Sequence, residues 1–238
     1  MMALAWRRQQ DSASRAHKLG RAMANNRDNV GGTVGIIVAH PDDETLWAGG
    51  LLLSHPTWRL QIATVCRGGD ADRAPRFRQV LSTLHAQGEM ADLDDGPAQE
   101  PLDDELLQQT IRALTRHQDS YDLLITHGPR GEYTRHLRHQ EVHRAVLALW
   151  RAGDLRARQL WCFAYDDAAG QAYPQARADA DLRLSLPPEL WERKYQIIRA
   201  IYGFSAESWE AQTTPTTEAF WVISAPDDPR FGRNEDEP

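Results

Sequence analysis

Apolar residues recur along this chain in two alternating rhythms. Residues 34–38 form a short β-branched run, the pattern of a strand buried on both faces. Similar runs occupy 60–66, 90–93 and 121–126. Between them the apolar positions take helical spacing. Residues 46–54 read as a helix in which Gly49 and Gly50 allow close packing, and Phe77, Val80, Leu81 and Leu84 mark a second helix up to Gly88. Leu106, Leu107, Ile111 and Leu114 mark a third, and Val142, Ala145, Val146 and Leu149 a fourth over 136–150. Four strand–helix alternations in the first 150 residues predict an α/β fold with a mostly parallel sheet and helices on both faces.

The signal thins beyond residue 155. Residues 160–165 and 220–224 are strand-like, and 188–202 reads as a helix opened by Pro187 and Pro188 and closed by Gly203. The expectation is a single domain over 31–226 with a C-terminal extension. Residues 1–30 read as a helical or flexible N-terminal extension, and 227–238 as an acidic flexible tail.

Composition narrows the partners. With 41% hydrophobic and 26% charged residues, the 238-residue chain is expected to bury a core rather than stay disordered. A net charge of −7 argues against a general grip on nucleic acid. No run of 18 apolar residues is present, so no membrane span is expected. The first 30 residues lack the apolar core of a signal peptide, which makes a cytoplasmic protein the expectation. Cys66 and Cys162 each end an apolar run, and two thiols make no disulfide framework; reduced, partly buried cysteines fit better.

Polar residues with chemical potential cluster where the expected strands end. His40, Asp42 and Asp43 follow the first strand; Arg67 and Asp70 the second; Asp92, Asp94 and Asp95 lie in or after the third; His127 follows the fourth. In an open parallel sheet the carboxyl ends of the strands form the ligand crevice, so these positions point to one shared site.

The sharpest motif is His40-Pro41-Asp42-Asp43-Glu44. Pro41 fixes its own φ and biases His40 to an extended shape, giving a stiff turn. With Asp43 opening the next helix, an imidazole and a carboxylate face one point, as zinc ligands do. Asp42 then stands beside the metal as a free carboxylate suited to general-base work. A helix cap alone needs one side chain and leaves the rest of the string unexplained.

A second cluster holds His136, His139 and His143, at i, i+3 and i+7 on one helical face. A solvated helix can carry histidines without function, yet three of the nine in the chain fall within eight positions. His139 and His143 have the i, i+4 spacing of a metal pair, so spacing alone does not choose the ligand.

Taken with Ala39 through Glu44, the Gly-rich turn at a strand end and the later His-x-x-His make residues 33–150 resemble the PIG-L or LmbE-like deacetylases. The resemblance implies a Rossmann-like α/β fold that binds no dinucleotide. It implies zinc-dependent removal of an acetyl group from an N-acetylglucosamine-type small-molecule conjugate, with Fe²⁺ as another possible metal. Carried over by position, it makes His40, Asp43 and His139 the metal ligands. It makes Asp42 the general base, and His136 the group that polarises the carbonyl or protonates the leaving amine. Where the family often has Gly-His-Pro-Asp-His, this chain has Arg135-His136-Leu137-Arg138-His139. The acid that would orient His136 must then come from elsewhere, with Asp92, Asp94 and Asp95 as candidates, and His143 is a rival ligand to His139.

Other residues carry less. Arg67, Arg73 and Tyr133 suit either substrate oxygens or an ordinary surface. His127 reads as lining a pocket turn, and Glu44 as capping a helix or orienting His40. Trp191, Tyr195, Tyr202, Phe204, Trp209 and Trp221 read as core, with a sugar-stacking wall as the other possibility. Two rival functions stay open: metal-dependent hydrolysis of another bond such as a phosphoester, and non-catalytic carbohydrate binding on the same fold. A homo-oligomer is also open.

Overall fold

The computed structural model describes residues 32–98, 100–133, 136–226 and 228. The expected N-terminal extension and nearly all of the acidic tail therefore lie outside the described residues. Strand β1 (Thr33–Val38) is buried along its whole length. It lies between two parallel partners, β2 (Arg59–Cys66) and β4 (Leu123–Thr126), which explains its unbroken apolar run. The seven-stranded sheet has the order β3-β2-β1-β4-β5-β9-β8. Here β3 is Gln87–Leu93, β5 Leu160–Phe163, β8 Leu182–Ser185 and β9 Thr217–Ile223. The first five are parallel, while β9 and β8 join antiparallel, so the stretch read as an extension completes the sheet. A short antiparallel pair, β6 (Tyr165–Asp166) and β7 (Gln175–Ala176), lies apart.

Successive side chains of β1 feed two cores. Val34, Ile36 and Val38 meet Trp47, Leu51, Phe77, Val80 and Ile198 from α1 (Asp43–Ser54), α2 (Arg73–Thr83) and the π-helical turn Ile197–Ile201. Ile37 meets Leu107, Ile111, Val142 and Val146 from α3 (Asp104–Thr115) and α4 (Leu137–Ala152). Helices thus cover both faces of a single α/β domain. Among the described residues no helix is long and apolar enough to cross a membrane.

The chain runs outward from β1 through β2 to β3, then returns to β1's other side with β4. This reversal opens a crevice at the carboxyl ends of β1 and β4. His40 follows one of those strands and His127 the other.

Boundaries differ from the sequence reading for physical reasons. Helix α2 stops at Thr83, and His85 takes a positive φ of 51° before β3 begins at Gln87. The polar start of β3 is tolerated because it is an edge strand. The helix expected over 188–202 divides into α5 (Pro188–Gln196) and the π-helical turn. Strand β8 and helix α6 (Trp209–Thr213) are short elements that the pattern did not separate from loop.

A buried ion pair fastens α1 to the late strands. Glu218 on β9 accepts the backbone N–H groups of Gly50 and Leu51, each at 2.7 Å, and Lys194 Nζ at 2.8 Å. Both ionic side chains are fully buried. Gly50 is needed here because a Cβ would overlap Leu186. Removing one partner of a buried pair strands the other's charge. Lys194→Met should therefore cost about 3–5 kcal/mol in urea unfolding. Adding Glu218→Gln should recover part of that loss; an unchanged midpoint in the single variant would refute this role.

Candidate metal centre

The turn after β1 is built as its sequence suggests. Asp42 precedes α1 with φ 126° and ψ −28°, a strained conformation for a non-glycine residue. Its side chain makes no cap bond to the helix. Its N–H donates to Glu44 Oε2 at 3.1 Å. Glu44 is fully buried and also accepts the hydroxyls of Thr45 (2.6 Å) and Tyr202 (2.7 Å) on Oε1. Glu44 thus holds the backbone of the N-cap residue, in line with the capping role offered for it, and makes none of these bonds to His40.

Asp43 opens α1 and turns inward. Oδ1 accepts the Trp47 indole N–H at 3.1 Å, and Oδ2 accepts the His40 backbone N–H at 2.9 Å. Three donor atoms then form a nearly equilateral triangle. Asp43 Oδ2 lies 3.2 Å from His40 Nδ1 and 3.4 Å from His139 Nε2, and the two nitrogens are 3.3 Å apart. A tetrahedral zinc ion with bonds of about 2.0–2.1 Å separates its ligand atoms by about 3.3–3.4 Å. The three expected ligands therefore fit a single small cation.

Partners behind the triangle set the tautomers. His139 Nδ1 pairs with Glu132 Oε2 at 2.6 Å, leaving the Nε2 lone pair toward the triangle. His40 Nε2 pairs with Asp95 Oδ1 at 3.0 Å, leaving Nδ1 inward. Such carboxylate–imidazole pairs orient metal-bound histidines and raise their basicity. Burial pushes the His40 pKa down, but its hydrogen bonds to Asp43 and Asp95 outweigh that and lift it to about 10. The field that favours a proton there also favours a metal cation.

Two other histidines compete for this description. His127 is buried, with Nε2 3.5 Å from Asp43 Oδ2, and Asp43, His127 and His139 are close enough to share a cation. The His127 Nε2 lone pair already accepts the Ala39 N–H at 2.9 Å, while Nδ1 donates to Glu132 at 2.8 Å. That tautomer leaves His40 the better ligand. His143 donates from Nδ1 to the His127 carbonyl at 2.8 Å and belongs to none of the metal-capable groups among the described residues.

His136 lies at the N-cap of α4 and can also group with His40 and His139 around a cation. Its ring stacks on His139 at 4.2 Å and meets His40 edge-on at 4.8 Å. Its Nδ1 is buried and has no hydrogen-bond partner among the described residues. Burial, then the charges of His139 and His40, push its pKa down to about 3. None of the three candidate acids orients it. Asp92 accepts the Gly69 N–H, Asp94 pairs with Arg138, and Asp95 serves His40 and Arg67.

Arg138, standing where the family often has an acid, is fully buried. It donates to the Asp94 and Glu100 carbonyls and pairs with Glu141. It thereby ties α4 to the loop that carries Asp95. Arg67 holds Asp95 from the other side, at 2.6 Å.

Asp42 lies beside the triangle rather than in it. Burial and the adjacent Asp43 raise its pKa well above the ordinary carboxylate range. Arg73 NH1 approaches Asp42 Oδ2 to 3.7 Å, and the guanidinium stacks on Phe204 at 4.2 Å. Tyr133 packs against Trp209, Trp47 and His136, so part of the aromatic C-terminal third does reach the site. Trp191 and Tyr195 instead stack on each other.

Residues 36–150 match the family model PIG-L, described as GlcNAc-PI de-N-acetylase. Over this stretch the chain is similar to the PIG-L family. The stretch contains all three atoms of the triangle and the carboxylates behind them. An uncharacterized protein of Acanthamoeba polyphaga mimivirus is 24% identical over 145 residues, 55% of this chain. The chain spans 61% of that relative's length. In structure it resembles N,N'-diacetylchitobiose deacetylase of Pyrococcus horikoshii, solved with an inhibitor (TM-score 0.60, 15% identity, 87% of this chain and 91% of that one). It also resembles 4-carboxy-2-hydroxymuconate hydratase of Pseudomonas putida (TM-score 0.58, 15% identity, 81% and 96%). At these identities the likeness establishes the fold.

Glu132 is the main residue of the site that sequence reasoning missed. It lies just past a Gly-Pro turn, seven residues before His139, with no periodic signal to join them. Glu132→Gln keeps one acceptor oxygen but turns an N–H₂ group toward either the two imidazoles or the Gly128 N–H, and removes the charge that supports His139. It should weaken metal affinity about 10–100-fold, as losses behind a ligand do. Competition against a chromogenic chelator measures this, and unchanged affinity would refute the assignment.

Proposed function

We propose that the chain is a zinc-dependent N-deacetylase acting on a small N-acetylated sugar conjugate of the N-acetylglucosamine type. The observation that carries this reading is the triangle of His40 Nδ1, Asp43 Oδ2 and His139 Nε2, with sides of 3.2–3.4 Å. These three residues would hold the metal, leaving positions open for water and substrate. The nitrogen-rich donor set suits zinc, with Fe²⁺ as the other metal it could accept. When bound, zinc lowers the pKa of water and polarises an amide carbonyl.

The remaining steps fall to the chain's own side chains. Asp42, a carboxylate outside the triangle, takes the proton of the attacking water. Its strained backbone is held by Glu44, and it adjoins the ligand Asp43 in the chain. His136, with a buried and unpartnered Nδ1, hydrogen-bonds the carbonyl oxygen or passes a proton to the departing amine. The products are acetate and a free amine. The match of residues 36–150 to a model described as GlcNAc-PI de-N-acetylase supports this reaction over phosphoester hydrolysis.

Asp42→Asn keeps the shape but loses the basic carboxylate. It should retain near-stoichiometric zinc while acetate release from N-acetylglucosamine derivatives falls about 10²–10⁴-fold. Asp43→Asn should lose zinc and activity together. Loss of zinc in the first variant and retention in the second would reverse the two roles. Full activity in both would end the deacetylase reading.

A further inference from the structure

His40 carries a set of donor atoms on each ring nitrogen. Nδ1 faces Asp43 and His139, as above. Nε2 faces Asp95 Oδ1 at 3.0 Å, and Cys66 closes this second group, its ligand atoms all within 4.8 Å of one another. Cys66 ends β2 and is completely buried. Arg67, the next residue, grips Asp95 Oδ2 from NH2 at 2.6 Å and Nε at 2.8 Å, which leaves Oδ1 turned toward His40. Imidazole, carboxylate and thiolate together make a donor set for zinc and for its softer analogue cadmium.

We propose that His40 Nε2, Asp95 Oδ1 and Cys66 Sγ form a second, weaker site for a soft divalent cation, and that filling it inhibits the primary centre. Inhibition rests on the reading of His40 Nδ1 as a primary ligand; the binding itself does not. Entry of the cation displaces two protons, one from His40 Nε2 and one from Cys66 Sγ, both to solvent. Bonds from nitrogen, sulfur and the Asp95 oxygen to the cation replace the Nε2–H···Oδ1 hydrogen bond. No oxidant or reductant is involved. The site is weaker because those protons must leave and because two cations then face each other across one imidazole ring. Inhibition follows because the resulting imidazolate is shared, and because Asp95 stops bonding to His40 as a hydrogen-bond acceptor.

The test uses the full chain loaded with one equivalent of zinc and then titrated with Cd²⁺. A sulfur-to-cadmium charge-transfer absorption should rise and saturate at one further equivalent, with the first zinc retained by elemental analysis. Cys66→Ser should keep the first zinc and its activity but lose the absorption. Its half-inhibition by excess zinc should move up by about tenfold or more, since even outer partners of a site are worth that much. Cys162→Ser should behave as the unmodified chain, and Cys66→Ala replaces the serine variant if that one fails to fold. Absence of the absorption in the unmodified chain would overturn the proposal, as would its persistence without Cys66. Inhibition by excess zinc that is unchanged in the Cys66 variant would overturn the inhibitory role. Failure of the deacetylase reading looks different: no acetate release, with the cadmium absorption still scoring the second site.

Discussion

Glu132 is a carboxylate sealed from solvent, and burial on its own would drive it to take up a proton. His127 and His139 reverse this, and its pKa falls to about 2. Oε2 accepts from both imidazoles and Oε1 from the Gly128 amide. The carboxylate thereby fixes two tautomers at once. One imidazole is left with a lone pair facing Ala39 N–H, which joins the end of β4 to the end of β1. The other is left with a lone pair facing His40 and Asp43. Strand registry and ligand geometry depend on the same buried group.

The parts of this arrangement that were legible in the sequence are local ones. The first strand shows as an apolar run because it has a strand on each side and a helical layer on each face. The His-Pro turn and the three-residue step to Asp43 place two atoms of the triangle without reference to anything distant. The histidine cluster was legible as a cluster but not as a choice, because His136, His139 and His143 share a face. What distinguishes His139 from His143 in geometry is Glu132 across a turn and the His127 carbonyl that engages His143, and neither leaves a periodic trace. Asp95 reaches His40 across 55 residues of chain, so it could be placed in the crevice but not paired. Strand β8 and helix α6 escaped because four or five residues give too little pattern to read.

Support for the site extends well beyond its own turn. Tyr202, at the end of the π-helical turn, bonds to Glu44, which in turn holds the Asp42 N–H. Glu218 and Lys194 lock the middle of α1 to β9 and α5. The residues after 155 therefore act as a brace against the helix whose first turn carries the triangle's carboxylate. That explains how Asp42 can be kept in a backbone conformation that costs about 1–3 kcal/mol in isolation.

The arginine at 138 has a consequence for how this site can change over time. Its guanidinium is sealed between Asp94, the Glu100 carbonyl and Glu141. An acid at that position would bring a third carboxylate against Asp94 and Glu141 and release the loop bearing Asp95. Replacing Arg138 by an acid is thus not a one-residue change; Asp94 and Glu141 would have to change with it.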